Sequence, residues 1–426
     1  QALLSMRKGI QQRESVMVVT GEVSGDHHAA QLVKVLQELA PGPIEIFGMG
    51  GSHLRLAGME TVIDSESEAS VMGLLEVVSS LPRILKAFRK LVNEARKRKP
   101  AVAILLDFPD FNLRLAKKLK RLGIPVVYFI TPQVWAWRRS RVRQIKKYVT
   151  KAAPIFPFEE GFLRQHGVNA TYVGHPFLDR PPLEISREQF LLQNGLDTVR
   201  PVVALLPGSR HGEVSRLIEP MLLAFARLQN GRPGIQGIVP VAPTLSMDEF
   251  EQYAKQFPAV SFIRGHSREA LMSADAAVVA SGTATVEAAL EGVPFVVVYK
   301  LAPVTYKIAK LIVRGVSNFG MVNLIAGKKI IPELLQSAVT PERIANELEK
   351  ILGDEANAKR MRKSLELVHE RLSNTPLDGN SSAERVGQLV AELLQWPGAG
   401  LSASTAPGSR VRRVATEVSE KIVANI

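Results

Sequence analysis

Asp107 closes the apolar run AVAILL (101–106), and Pro109, Asp110 and Asn112 follow it in LLDFPDFNLRLAKKLKR (105–121). A carboxylate at the end of a buried strand faces whatever binds beyond that end, where it can take a proton from a hydroxyl nucleophile. Asp110, at the start of a helical pattern, reads as a helix cap. Two more carboxylates, Glu22 and Asp26, lie in VTGEVSGDHHAA (19–30), between a strand and a helix. Gly21 and Gly25 there allow close approach of backbone to a ligand. The segment is not G-x-G-x-x-G, so a dinucleotide fingerprint is unsupported. Asp107 is therefore the first candidate for a general base. Asp26 is the reserve, although its better use is capping, and Glu22 could orient an acceptor.

A second group of residues suits an anion. ALLPGSRHGEV (204–214) places Gly208, Ser209 and Arg210 between an apolar run and a helix. An arginine beside free helix N–H groups can hold a diphosphate by charge-assisted bonds. VVASGTATVEAALEGVPFVVVYK (278–300) repeats the arrangement with Ser281, Gly282 and Thr283. Glu287 is the odd residue there. A capping box puts Glu three residues after the cap, and Thr283 to Glu287 is four. Something other than self-capping wants that carboxylate. No D-x-D pair, H-E-x-x-H or cysteine accompanies these residues, so a metal site is not expected. His27, His28 and His175 are scattered and read as structural.

These residues need strands to carry them. Near-continuous apolar runs at 16–20, 44–51, 101–106, 125–130 and 153–158 alternate with amphipathic segments, the first a helix over Asp26–Leu39. Such runs mean a parallel sheet covered on both faces. The pattern pauses at GHPFLDRPPLEIS (174–186), then restarts at 201–206, 235–241, 259–263, 276–280 and 294–299. The expected organisation is an N-terminal extension (1–15), a first doubly wound domain (16–173) and a linker (174–186). A second such domain with C-terminal helices (187–396) and a loose or partner-dependent tail (397–426) follow. Ligands of such sheets bind beyond the carboxyl ends of the strands, which puts the site in a cleft between the domains.

The 426 residues include no cysteine and carry a net charge of +13. No apolar run reaches the ~18 residues of a spanning helix. The first fifteen residues lack the apolar centre of a signal peptide, and the absence of cysteine fits a cytosolic enzyme. Residues 83–151 hold 20 Lys and Arg against 3 Asp and Glu, so the rest of the chain is slightly acidic. That block calls for an anionic partner: a membrane, a nucleic acid or a phosphorylated substrate. Just before it, ASVMGLLEVVSSLPRILKAFRKL (69–91) spaces Val71, Leu74, Leu75, Val78, Leu81 and Leu85 helically, with Met72 and Val77 widening the face. Pro82 reads as a break between two helices. An apolar face rimmed by Arg83, Lys86, Arg89 and Lys90 suits a helix lying in a membrane interface, and equally a helix packed on its own sheet.

GEVSGD, DFPDFN, TPQVWAWRRSRVRQIKK, FPFE, GHPFLD, LLPGSRHGEV, ASGTATVEAAL, VVYK and VNLIAGKKIIPELLQ occur in that order. Together they resemble the lipid-A-disaccharide synthases, bacterial glycosyltransferases of the GT-B type, over residues 16–395. Departures are small: Val23 stands where Ala is expected, and Ala29-Ala30 where Gly-Ala is usual. The resemblance implies two Rossmann-like domains and transfer from UDP-2,3-diacylglucosamine to 2,3-diacylglucosamine 1-phosphate. The products are a β-1,6 disaccharide 1-phosphate and UDP. It implies a donor site of Gly208, Ser209, Arg210, Ser281, Gly282, Thr283, Thr285, Glu287 and Asn323, with Glu287 on the ribose hydroxyls. It implies no cofactor and no nucleic acid, and a cytoplasmic protein peripheral on the inner face of a Gram-negative cytoplasmic membrane. Oligomeric state stays open, a homodimer among the options. Rival readings are another UDP-sugar GT-B enzyme, namely the peptidoglycan lipid-intermediate transferase or a UDP-N-acetylglucosamine epimerase, and a nucleic-acid-binding protein. TPQVWAW and DFPDFN argue against the first two, and the lack of a helix-turn-helix, zinc or aromatic-platform motif against the third.

Overall fold

The computed structural model describes residues 14–21, 23–65, 77–132, 139–300, 320–373 and 379–397. They divide into two units. One holds the described residues up to Asp179 and those after Ser373, and the other is Arg180–Ser373.

In the first unit the chain runs β1 (Ser15–Thr20), α1 (Val23–Leu39), β2 (Glu45–Gly50), α2 (Ser52–Leu56), β3 (Glu60–Asp64), α3 (Val77–Arg98) and β4 (Val102–Leu106). It continues through α4 (Pro109–Arg121), β5 (Val126–Phe129), α5 (Arg139–Tyr148), β6 (Lys151–Ala153) and α6 (Pro157–Gln165). The six strands lie parallel in the order β3-β2-β1-β4-β5-β6. Val16, Met17, Val18 and Val19 of β1 and all of β4 are fully buried, because helices cover both faces. Right-handed crossovers put α3, α4 and α5 on one face, where α3 packs on α4 and α4 on α5. Helix α4 shows why the sequence folds so. Phe111, Leu115, Ala116 and Leu119 turn inward at helical spacing, while Arg114, Lys117 and Lys118 stay in water.

The second unit begins with α7 (Arg187–Gln193), β7 (Val202–Leu206), α8 (His211–Gly231), β8 (Gln236–Val241), α9 (Glu251–Gln256), β9 (Val260–Arg264) and α10 (Ser267–Ser273). It continues with β10 (Ala276–Ala280), α11 (Thr283–Leu290), β11 (Phe295–Tyr299), α12 (Met321–Ala326), β12 (Glu333–Leu335), α13 (Pro341–Leu352) and α14 (Glu355–Ser373). Its sheet is again parallel, in the order β12-β11-β10-β7-β8-β9. A last helix, α15 (Ser382–Leu394), returns to the first unit and packs on α1.

Four expectations change. The C-terminal helices do not all join the second sheet: α15 returns to α1, where Gly387 meets Val35. The run 153–158 is not a strand throughout, for β6 ends at Ala153 and Pro157 opens α6. Pro154 and Pro157 lack the N–H a ladder needs. Pro82 lies inside α3 without ending it; near a helix start it removes one intrahelical bond. Finally, β3 and β12 have no apolar run to announce them; each is an edge strand at one side of its sheet.

Candidate active site

In each sheet the strand order reverses at one place. In the first it is between β1 and β4, and in the second between β7 and β10. At such a switch point the loops beyond the carboxyl ends diverge to opposite sides and leave a crevice. Thr20 pairs with Leu106 across β1 and β4, so Gly21 and Asp107 leave the sheet side by side. The loop after β7 carries Gly208, Ser209 and Arg210, and the loop after β10 carries Ser281, Gly282 and Thr283. All the principal candidate residues therefore stand at the two switch points.

In the first unit, Asp107 is half-buried, and it and Phe108 are consecutive left-handed residues, with φ of 48° and 46°. Asp tolerates that conformation, whereas an aromatic residue there is a strained exception. The turn carries the Phe108 ring against Gly21, where an added Cβ would lie 2.6 Å from the ring. Phe108 also stacks on Phe111, with ring centroids 5.0 Å apart. Asp110 does not cap α4. Its carboxylate meets Arg141 of α5 at 2.6 Å, and Phe108 occupies the N-cap position with Pro109 as the first helical residue.

Asp26, the reserve base, is committed elsewhere. It is 1% exposed, and its carboxylate accepts from Gly51 N at 2.6 Å and His53 N at 2.9 Å. It ties the start of α1 to the turn before α2. A buried carboxylate held by two backbone N–H groups is a structural anchor, which corrects its candidacy. Glu22 lies outside the described residues, as do Val71, Met72, Leu74 and Leu75. Val78 and Leu81 belong to α3, but their side chains are also outside the description.

In the second unit, Arg210 is the N-cap residue of α8, and its side chain is 61% exposed. Glu213 approaches it only to 3.7 Å, a surface pair worth little and easily exchanged for a phosphate. Ser209 and Thr283 are exposed, and Gly282 is the N-cap of α11 with no side-chain cap bond. Both helix starts thus offer N–H groups to an anion. Burial, then the charge of Glu213, pushes the nearby Tyr299 hydroxyl above its usual range, which keeps it a donor.

Glu287 sits one turn into α11 and is 7% exposed. Its carboxylate takes a hydrogen bond from the Arg180 guanidinium and one from Ser267 Oγ at 2.8 Å. Neither partner was legible in the sequence, because they lie on other segments. Thr285 and Asn323 leave the candidate list. Both are fully buried. Thr285 Oγ1 donates to Gly282 O at 2.7 Å. Asn323 donates to Ile331 O and Glu333 Oε1 and accepts from Ile330 N and Ile331 N. Its hydrogen-bonding capacity is filled by the turn it holds.

The family model described as lipid-A-disaccharide synthetase matches residues 16–384, across both sheets. A lipid-A-disaccharide synthase of Myxococcus xanthus (strain DK1622) is 44% identical over 380 residues, covering 89% of this chain and 97% of that one. Among solved structures, the UDP-GlcNAc 2-epimerase of Neisseria meningitidis bound to UDP-GlcNAc superposes with a TM-score of 0.56 at 13% identity. It covers 85% of this chain and 100% of that one. The calicheamicin glycosyltransferase superposes with a TM-score of 0.54 at 14% identity, over 90% and 98%. At such identity the structures speak for the GT-B fold, which glycosyltransferases share with epimerases.

Proposed function

The chain belongs to the lipid-A-disaccharide synthetase family, and on that premise we propose a division of labour between its two units. It is a glycosyltransferase of lipid A synthesis, with a UDP-sugar donor and a sugar-phosphate acceptor. The donor is UDP-2,3-diacylglucosamine and the acceptor 2,3-diacylglucosamine 1-phosphate. The acceptor's primary hydroxyl attacks the donor sugar at C1, its proton passes to a base, and the C1–O bond to the diphosphate breaks. The β-1,6 disaccharide 1-phosphate and UDP result.

The second unit holds the donor. The leaving diphosphate gains negative charge as its bond breaks. Arg210 and the N–H groups at the starts of α8 and α11, framed by Gly208, Ser209, Ser281, Gly282 and Thr283, stabilise that charge without rearranging. Glu287 accepts from the ribose hydroxyls with the lone pairs that Arg180 and Ser267 leave over. The first unit supplies Asp107 as the base for the primary hydroxyl, with Glu22 orienting the acceptor. The observation that carries this reading is the family match running through both units, with its charged residues at the two switch points.

The enzyme works at the inner face of the cytoplasmic membrane. Among the described residues no helix is long and apolar enough to cross one. Helices α3, α4 and α5 line one face of the first sheet, and Arg83, Lys86, Arg89, Arg114, Lys117 and Lys147 are among their exposed residues, with Leu85 43% exposed. Such a face suits anionic headgroups. The apolar segment 71–81 would add the unscreened part of the attachment.

Steady-state transfer by Asp107→Asn, which keeps the shape and removes the proton acceptor, tests the chemistry. The variant should lose ~10²–10⁴-fold in turnover with UDP affinity and Tm unchanged. A variant keeping more than about a tenth of wild-type turnover would remove Asp107 from the role and pass it to Glu22.

A further inference from the structure

The Asp107 carbonyl is held in an unusual way. Asn112 Nδ2 donates to Asp107 O at 2.8 Å and to Leu106 O at 2.9 Å. Tyr128 Oη donates to the same Asp107 O at 2.5 Å. Asp107 N in turn donates to Phe129 O at 3.4 Å on the neighbouring strand. Three donor contacts thus converge on the successive carbonyls of Leu106 and Asp107, and Asp107 is the first of two successive left-handed residues.

Stability alone does not account for this arrangement. Asn112 is fully buried, and among the described residues its Oδ1 has no hydrogen-bond partner. An unpaired buried acceptor is costly, and buried amides are retained when their donors are needed in a fixed place. Phe108 in the left-handed region is costly too, and such strain persists only where the surroundings over-determine it. Here the surroundings are Asn112 and Tyr128 behind the turn and Gly21 in front of it. Tyr128 is completely buried, and burial, then the charge of Asp107, pushes its hydroxyl well above the usual range. That favours the protonated, donating form of the hydroxyl.

We propose that Asn112 and Tyr128 are positioning residues of the transfer reaction: by clamping the Leu106 and Asp107 carbonyls they hold the strained Asp107-Phe108 turn and so aim the Asp107 carboxylate. This rests on the reading of Asp107 as the base. Neither side chain acts on the sugars; both act through one carboxylate. Rotation of the Asp107 peptide would swing the carboxylate away from the acceptor hydroxyl, and a misplacement of about 1 Å can cost ~10²-fold.

The test is a mutant cycle in the full-length enzyme with the diacylated donor and acceptor. Asn112→Ala should lower kcat by ~10²-fold and Tyr128→Phe by about tenfold, each with donor KM within about threefold. In an Asp107→Asn background either change should cost less than about twofold, because the group it aims is gone. A merely structural pair would lower Tm, leave kcat of the folded fraction alone and show no dependence on Asp107. Tyr128→Phe removes a single oxygen, so it keeps the test decisive if Asn112→Ala does not fold. Folded Tyr128→Phe with wild-type kcat, or a loss undiminished in the Asp107→Asn background, overturns the positioning role while Asp107 remains the base. An active Asp107→Asn enzyme overturns the base reading, and the positioning role with it.

Discussion

Glu287 has two suitors, and a pair of substitutions separates them. Its carboxylate is 7% exposed and accepts from Arg180, whose side chain is 31% exposed, and from Ser267. A hydrogen bond to a charged group contributes ~1.5–3 kcal/mol; with one partner a third exposed, solvent screening brings the Arg180 contact to about 1–2 kcal/mol. Arg180→Ala should therefore lower the melting temperature of the second unit by about 2–8 °C. Glu287→Gln keeps one acceptor oxygen and loses the charge, so its stability loss should be similar. UDP binding is where the two diverge. If Glu287 receives the ribose hydroxyls, Glu287→Gln removes about 1.4 kcal/mol or more and weakens UDP about tenfold. Arg180→Ala leaves the carboxylate in place and should change the UDP Kd less than about threefold. Titration calorimetry with UDP, paired with thermal melts, reads both quantities. Equal loss of UDP affinity in the two variants would show that Glu287 serves the site only by anchoring Arg180, and the ribose assignment would fall.

Three further outcomes follow from particular contacts. Gly387 lets α15 approach α1 so closely that an added Cβ would stand 2.6 Å from Val35 Cγ1. Gly387→Ala should thus destabilise by ~1–3 kcal/mol in denaturant melts, and a neutral result would mean that the helices separate freely. Burial raises the Asp179 carboxyl above its ordinary range, against the two lowering bonds from Ser382. A carboxyl raised in the fold favours folding below its unfolded value, and this stability is lost as pH rises through the folded value. The Tm of Asp179→Asn should therefore rise relative to wild type as pH increases from the unfolded carboxyl value through the raised folded one, and a pH-independent difference refutes the linkage. Replacing exposed Arg83, Lys86 and Arg89 by Ser should weaken binding to anionic vesicles at low salt about 10²-fold, at ~1 kcal/mol per charge, and leave neutral vesicles unaffected. Undiminished binding would move the docking surface elsewhere.

The sequence by itself determined the alternation of buried strands with amphipathic helices. β1, β4, β7 and β10 are apolar at nearly every position because both faces of each sheet are covered, and such a run is visible without any partner. It also determined where charge would stand beside those strands, since a loop residue that follows a strand in sequence follows it in space. Asp107, Ser209, Arg210 and Thr283 were placed on that ground. What sequence distance hides, only the tertiary structure decided. The Asp26 carboxylate is spent on Gly51 and His53, the Asn323 amide on Ile330, Ile331 and Glu333, and the Glu287 carboxylate on Arg180 and Ser267. The return of α15 to α1 was equally invisible, because its apolar stripe would suit either sheet, and a close fit of Gly387 to Val35 selects one. Residue type announces that a side chain can bond. Which groups lie within 3 Å of it depends on segments that meet only when the chain is folded, and those neighbours separate an anchor from a catalyst.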